Sequence, residues 1–451
     1  MLNPSYTRMR IHTRLRPLVA VLAAAGLSAG QAAAQSPLTL DDAVGRALKQ
    51  NPAVRGAEAS RREASERARQ ARAGWLPRVD LTETWQRGNQ PVFVFGSILA
   101  QRSFTEANFA IDALNHPDPV SNFRTGISVE QLVFDGVRTL SANRSAAIGE
   151  EIADAGSRDT AAQLRLGVTR AFGEVLMAQA NRAAAAAALE SAEEDVRRAE
   201  RRRDAGLATE ADVLAVRVHL AQIRERQIGA ASRETVARLQ LNEAMGEPLD
   251  ARFELQVPAV EPAAPPPIAE LEAEALANRP DLLRVVAQER LAKESVTAAR
   301  AGFYPQAAVQ GVYEFNGGTF SDRVSAWTIG AVFRWNLFGG FADSAKLGEA
   351  KAATERARAE RERQEAAARV DVRAAAARLD EARARVEVGR LAAAQAKESQ
   401  RIVRDRFDAG LAPVNDLLRA SMALLDAQYH QTAAAIDVLI SAALLERARG
   451  R

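Results

Sequence analysis

The chain has 451 residues, enough for two or three ordinary domains or one large unusual one. Charged residues make up 26%, yet the formal net charge is only +3, which excludes a strongly basic nucleic-acid binder as the default. There is no cysteine, so disulfide staples, thiolate metal sites and a lipidated cysteine anchor are excluded as well.

At the N-terminus, Arg8, Arg10, Arg14 and Arg16 precede the apolar run 18–27, and "GQAAAQS" offers a small-residue cleavage site after Ala34. This pattern predicts a signal peptide over residues 1–34, with Met1 or Met9 as the start, and hence an exported protein. The run is shorter than the ~20 apolar residues a membrane helix needs. No later segment approaches that length, so a membrane-embedded form of the chain must be a β-barrel.

Aromatic residues locate the strands. Phe, Trp and Tyr number 15, 4 and 4, and eighteen of them fall in two windows, 75–134 and 303–341. Both windows alternate. Val79, Leu81 and Trp85 share one face, as do Phe123, Ile127, Val129 and Val133; so do Val309, Tyr313 and Phe315, and Trp327, Ile329, Phe333 and Trp335. Period two predicts four strands of about ten residues, the length of a tilted transmembrane strand. Trp75, Trp85, Phe303, Tyr304, Trp335 and Phe338 stand at strand ends, as interfacial aromatics do. "FNGGTF" lies between two strands and is expected to be a hairpin turn.

Proline placement locates the helices. None lies between Pro119 and Pro248, and only Pro413 follows Pro305, which leaves room for long helices over about 141–203 and 342–407. At 1.5 Å per residue each would span ~95 Å, and rods of that length need coiled partners. Val213, Val216, Leu220 and Ile223 offer a seam in the returning helix.

The chain also repeats itself. "NPAVR" resembles "RPDLLR" and "AGWLP" matches "AGFYP", with Pro52/Pro280 and Pro77/Pro305 both 228 apart. "LVFDG" matches "NLFGG", and "DAGLA" recurs at 204–208 and 408–412; these pairs are 204 apart. The expected organisation is a first repeat over 35–256, a stiff proline-rich linker at 257–267 and a second repeat over 268–451. Each repeat reads helix, strand, hairpin loop, strand, long helix, return helix, and the first carries 24 extra residues within 90–121.

In each "DAGLA", Gly206 or Gly410 is placed to end a helix in the left-handed conformation. Leu207 and Leu411 would then pack back on the last turn. Thr209 with Asp212 fits a capping box, and Pro413 suits a first helical turn. By this reading the turns are tight helical hairpins at the rod ends, and Asp416 is a helix N-terminal acid favoured by the macrodipole. His116, His219 and His430 lie far apart without metal-ligand spacing, and no nucleophile elbow, metal cluster or convergent acid pair marks an enzyme. Four strands cannot close a barrel, because the smallest needs eight, so several chains must share one.

The tandem halves, the "NP" and "RPDL" breaks, the "GWLP"/"GFYP" strand entries, the "LVFDG"/"NLFGG" exits and the twin "AGLA" turns resemble the TolC family of outer-membrane efflux proteins. The resemblance runs from Leu38 to about Arg447. It implies a mainly α fold with a β-barrel part: a homotrimer with a twelve-stranded barrel in the outer membrane of a Gram-negative bacterium and a helical tunnel in the periplasm. It also implies the exit duct of a tripartite efflux or type I secretion system for small molecules, metal ions or polypeptides, joined to an inner-membrane pump by a periplasmic adaptor, with no cofactor and no nucleic acid. Gly206, Leu207, Gly410 and Leu411 would be the adaptor-docking turns, and Asp212 and Asp416, with Arg419 nearby, the periplasmic gate. Arg419 departs from the family pattern, where a second ring acid could stand, and Ala412 stands where a gate arginine could be. The competing reading is an exported coiled-coil scaffold without a pore.

Overall fold

The computed structural model describes residues 37–258 and 266–451. The expected signal peptide and most of the expected linker lie outside the described residues. In chain order the elements are α1 (Leu40–Gln50), α2 (Pro52–Arg72), β1 (Arg78–Gly88), α3 (Pro91–Ala100), α4 (Ile111–Asn115), β2 (Val120–Phe134), α5 (Arg138–Asp204), α6 (Glu210–Met245), α7 (Ile268–Asn278), α8 (Pro280–Arg300), β3 (Gln306–Gly317), β4 (Val324–Arg334), α9 (Ala342–Asp408) and α10 (Val414–Ala448).

α5 and α9 are 67 residues each, about 100 Å of continuous helix. Neither stands alone. α2 and then α6 flank α5, while α8 and then α10 flank α9. α5 also packs on α8 and α10, which fuses the two repeats into one wall of helices. The flanking helices break where proline requires it. Pro52 and Pro280 occupy the first helical turn, where their missing N–H costs nothing. Asn51 caps α2 through Oδ1, which accepts the Ala53 N–H at 2.8 Å, and its Nδ2 donates to the Ala244 carbonyl at 2.9 Å.

Alanine-rich sequence lets these helices approach closely, and the larger apolar side chains gather at three levels. One cluster joins α1, α5 and α6 around Val168, Phe172, Val175, Leu241 and Met245. Its counterpart in the second repeat joins α7, α9 and α10 around Leu271, Val372, Leu379 and Leu445. A third, at the end far from the strands, mixes the repeats: Ala199, Val213 and Val216 meet Phe407, Val414 and Leu417. Val213 and Val216 are fully buried and Ile223 nearly so, as expected of a seam; Leu220 is only half-buried, and His219 takes the buried position beside it.

The four strands form one antiparallel sheet in the order β1-β2-β3-β4, with β1 and β4 as edges. The register Leu81↔Ile127↔Tyr313↔Trp327 puts the predicted apolar residues on one face. That face is bare: Val79, Leu81, Trp85, Trp327, Ile329 and Phe333 are each 60–72% exposed. The opposite face carries Arg78, Asp80, Thr82, Thr84 and Gln86 on β1 and Arg124, Asn122 and Glu130 on β2. An apolar face beside a polar one is the pattern of a sheet with lipid outside and water within. Among the described residues no helix is long and apolar enough to cross a membrane.

The structure corrects the expected loop of the first repeat. The residues between β1 and β2 are not a simple hairpin; they form α3, a short 3-10 segment and α4. The second repeat does turn directly from β3 to β4 through "GTFSDR". β2 is also longer than expected, with 15 residues and a register irregularity between Leu132 and Phe134.

Candidate functional site: two helical turns and two open edges

Both "DAGLA" turns have the hydrogen bonds of a Schellman ending. Gly206 has φ +70° and Gly410 φ +79°. The Leu207 N–H donates to the Arg202 carbonyl at 2.7 Å and the Gly206 N–H to the Arg203 carbonyl at 2.8 Å. In the second repeat, Leu411 donates to Arg406 at 2.8 Å and Gly410 to Phe407 at 3.0 Å. The leucines, however, do not pack back as expected. Leu207 is 67% exposed and Leu411 69% exposed, so each turn presents an apolar tip to solvent.

Thr209 and Asp212 form the expected capping box. Asp212 accepts from the Thr209 N–H at 2.9 Å and hydroxyl at 2.8 Å, while the Asp212 N–H donates back to the hydroxyl at 3.2 Å. The backbone N–H and then the hydroxyl of Thr209 hold the Asp212 carboxyl below its ordinary range. A depressed carboxylate stabilises the fold above its unfolded pKa and loses that contribution as pH falls through the folded value. The capping contribution of Asp212 is therefore expected to be complete at neutral pH and lost below pH ~4. Thr209→Ala is expected to cost about 1 kcal/mol of local stability; faster amide exchange in the first turn of α6 at neutral pH, with the difference from wild type shrinking in acid, would check both.

In the second repeat Pro413 sits one residue earlier than expected, as the cap before α10 rather than within its first turn. Asp416 falls in that first turn. Asp416 and Arg419 are both exposed, and neither makes an ion pair within the described residues. Asp212 is thus committed to its cap, whereas Asp416 and Arg419 are free to face another chain or the solvent.

The tip holds residues that the sequence reading missed. Arg202 reaches across from the first repeat, donating through one Nη to the carbonyls of Phe407 at 2.6 Å and Asp408 at 2.9 Å. Its guanidinium stacks 4.9 Å from the centre of the Phe407 ring. Arg198 pairs with Asp408 at 2.8 Å. Asp195 is 2% exposed and lies 3.8 Å from Arg404 of the other repeat; burial pushes its carboxyl up although Arg404 pulls it down. The sequence signal for Arg202 was its place four residues before the turn glycine in "RRRDAGLA", matched by Arg406 in "RDRFDAGLA".

At the other end, the strand exits have positive φ at Gly136 and Val137 and again at Gly340 and Phe341. Gly136 lies tight against the second repeat: a Cβ there would be 2.5 Å from Tyr304 Cβ and 2.9 Å from the Ala301 carbonyl. Gly340, its counterpart, faces nothing within 4 Å. Around it Leu337, Phe338 and Phe341 are 74–81% exposed. Trp75, Trp85, Phe303, Tyr304 and Trp335 are also exposed, and the Trp335 indole N–H donates to the Phe303 carbonyl at 3.1 Å. Among the described residues no group of histidine and acidic side chains could hold a metal.

A duplicated wall of ~100 Å helices under an amphipathic four-stranded sheet, both ending in open edges, defines a segment of a transmembrane channel rather than a self-contained domain. The chain belongs to the outer membrane efflux protein family, which matches residues 43–247 and 271–451, one stretch in each repeat. It is thus a channel protein of the Gram-negative outer membrane and not an enzyme. Its fold is similar to the CmeC outer membrane channel of Campylobacter jejuni, with TM-score 0.80 and 18% identity, covering 91% of this chain and 85% of that one. It is also similar to the outer membrane protein VceC of Vibrio cholerae (0.76, 19%, 91% and 96%) and to the open MtrE outer membrane channel of Neisseria gonorrhoeae (0.74, 18%, 91% and 88%). No curated protein matches the sequence. The expected TolC-type fold and family hold, and the scaffold without a pore gives way to the channel.

Proposed function

We propose that the protein is the exit duct of a tripartite efflux or type I secretion system, working as a homotrimer with a twelve-stranded barrel. The proposed mature chain follows a signal peptide over residues 1–34, with repeats at 35–256 and 268–451 joined through 257–267. The observation that carries the reading is the mismatch between the two equivalent junctions. Inside the chain, Gly136 is covered by the second repeat; at the free edge, Gly340 is bare. A copy of the first repeat from the next protomer would cover it. The β2–β3 register, carried over by the repeat offsets, pairs Ala331 with Trp85 of the partner subunit, and both belong to the apolar face.

The same operation supplies an ion pair. Arg290 of α8 pairs with Glu151 of α5 within the chain. Moving Arg290 back by 228 lands on Arg62, and moving Glu151 forward by 204 lands on Glu355. Both are exposed and make no ion pair among the described residues. Arg62→Glu or Glu355→Arg alone is expected to lower the temperature at which the detergent-extracted oligomer dissociates, and the double variant to recover it. Each exposed pair is worth only ~0.5–1 kcal/mol, but closure makes it once per protomer. A double variant no better than the single ones would remove this contact from the seam, and a monomeric folded protein by native mass would remove the duct.

At the tip, Leu207 and Leu411 on their Gly206 and Gly410 turns would dock the periplasmic adaptor, which joins the duct to an inner-membrane pump. Their exposure at the far end of the rods supports this role. Asp416 and Arg419 would line the periplasmic gate beside Asp212. Single-channel recording in planar bilayers tests the duct directly, and adaptor crosslinking at Leu207 or Leu411 tests the docking turns.

A further inference from the structure

The helical insertion between β1 and β2 has no counterpart in the second repeat. It folds onto the sheet, against β2 and β3. Several contacts fix which face it covers. Phe93 lies 3.8 Å from the Cβ position of Gly88. The Gln101 amide donates to Asn122 Oδ1 at 3.1 Å and to the Ser121 carbonyl at 2.8 Å. Asn122 donates on to Asn316 at 3.0 Å, and these two asparagines are only 8% and 2% exposed. Arg102 reaches the Ser325 carbonyl at 3.1 Å, at the start of β4. Gly88, Asn122 and Asn316 all belong to the polar face, the one that would line the bore of the proposed duct. The insertion thus crosses the inner wall at the strand ends farthest from the rods.

Its outer surface does not suit an aqueous bore. Val92 is 75% exposed, Phe109 64% and Ile111 78%, beside the edge-to-face series Phe95, Phe104 and Phe109. From Pro91 to Ile111 the only charges are Arg102 and Glu106. Dimensions identify what would cover this surface. Twelve strands ~4.8 Å apart and tilted ~40° give a wall of radius roughly 12 Å. A helix laid on the inside of that wall takes up ~10 Å, so one insertion from each protomer must meet the others near the axis.

We propose that the insertions are contact surfaces for each other: identical apolar segments that meet over the axis and constrict the outer mouth of the channel. The inference rests on the oligomeric duct described above. In the assembly Phe109 and Ile111 are buried against their copies, and the outer constriction is apolar, unlike the charged periplasmic tip.

The absence of native cysteine makes a clean test possible. Ile111→Cys is expected to give disulfide-linked protomers on mild oxidation in the outer membrane. Gln86→Cys with Gly330→Cys, opposed across the proposed barrel seam, reports closure of the barrel independently. Seam crosslinking without Ile111 crosslinking overturns the constriction and leaves the duct intact; failure of both overturns the duct. Replacing residues 91–115 by a short Gly–Ser turn is expected to raise single-channel conductance several-fold while the seam crosslink persists. Unchanged conductance in that variant would also overturn the proposal.

Discussion

Gly136→Ala is expected to destabilise the protomer itself by ~2–5 kcal/mol, whereas Gly340→Ala leaves the protomer folded and blocks its assembly. The two glycines are equivalent by sequence, and their backbones agree, with φ of +66° and +62°. Alanine in that conformation costs ~1–2 kcal/mol at either site. The sites differ in what surrounds them. At Gly136 the new methyl would sit 2.5 Å from Tyr304 Cβ and 2.9 Å from the Ala301 carbonyl. Neither can give way by a rotamer change: one is the root of a side chain and the other is backbone, and Ala301 is fully buried. Relief requires β3 to move away from the exit of β2, which parts the central strand pair at its base. Overpacking of this kind adds ~1–3 kcal/mol or more to the conformational cost. At Gly340 the methyl meets open space within the chain. It meets an obstacle only when a neighbouring copy brings its own first repeat, with Leu76 in the position of Tyr304. Yield of heat-resistant oligomer, together with circular dichroism of the extracted protein, separates the outcomes. Gly340→Ala assembling as well as wild type would break the equivalence on which oligomeric closure is argued.

The sequence made the architecture legible because its signals are local and doubled. Period-two aromatics marked the strands, proline marked the breaks, and two constant offsets marked the repeat. The left-handed turn glycines were legible for the same reason: only glycine meets no Cβ penalty there. Contacts between the repeats were not. Arg202 and Phe407 are 205 positions apart, and no periodicity links them. The exposure of Leu207 was missed because a Schellman ending usually carries an apolar contact back to its helix. Here Val213, Val216 and Phe407 already fill the space at the rod end, and the leucine is left outside. The insertion was expected only as extra residues in the loop between two strands, because the second repeat offers no counterpart to compare it with. Its helix α3 gains its burial from the sheet beneath it, where Val94 and Ser97 are 4% and 5% exposed.

Arg202→Ala is expected to loosen the periplasmic end of the channel and raise its open probability by at least tenfold. Arg202 joins the two turns: it belongs to the last turn of α5, and both its carbonyl partners lie at the end of α9. A hydrogen bond to a charged group is worth ~1.5–3 kcal/mol, and the stacking on Phe407 adds ~0.5–2 kcal/mol. One cost is set against this gain, because the Arg202 Nε is buried without a partner. A net loss of ~1.5–3 kcal/mol remains, and 1.4 kcal/mol shifts an open–closed equilibrium tenfold. Lysine should restore little, since a single ammonium cannot both bridge two carbonyls and lie flat on a ring. The effect should also stay local. The α5–α6 pair keeps its own Schellman turn, its capping box and its buried Val213 and Val216. Amide exchange should therefore quicken at the ends of α5 and α9 while the bodies of the rods stay protected. Arg406 occupies the matching position in the second repeat, is exposed, and makes no ion pair among the described residues. In a closed ring it would face the first-repeat turn of the next protomer, where the carbonyls of Arg203 and Asp204 match those that Arg202 holds. Arg406→Ala should then open the channel as Arg202→Ala does, but without changing the exchange of an isolated protomer. Equal behaviour of the two variants in monomeric protein would show that Arg406 acts within its own chain and would remove the tip from the contacts that close the ring.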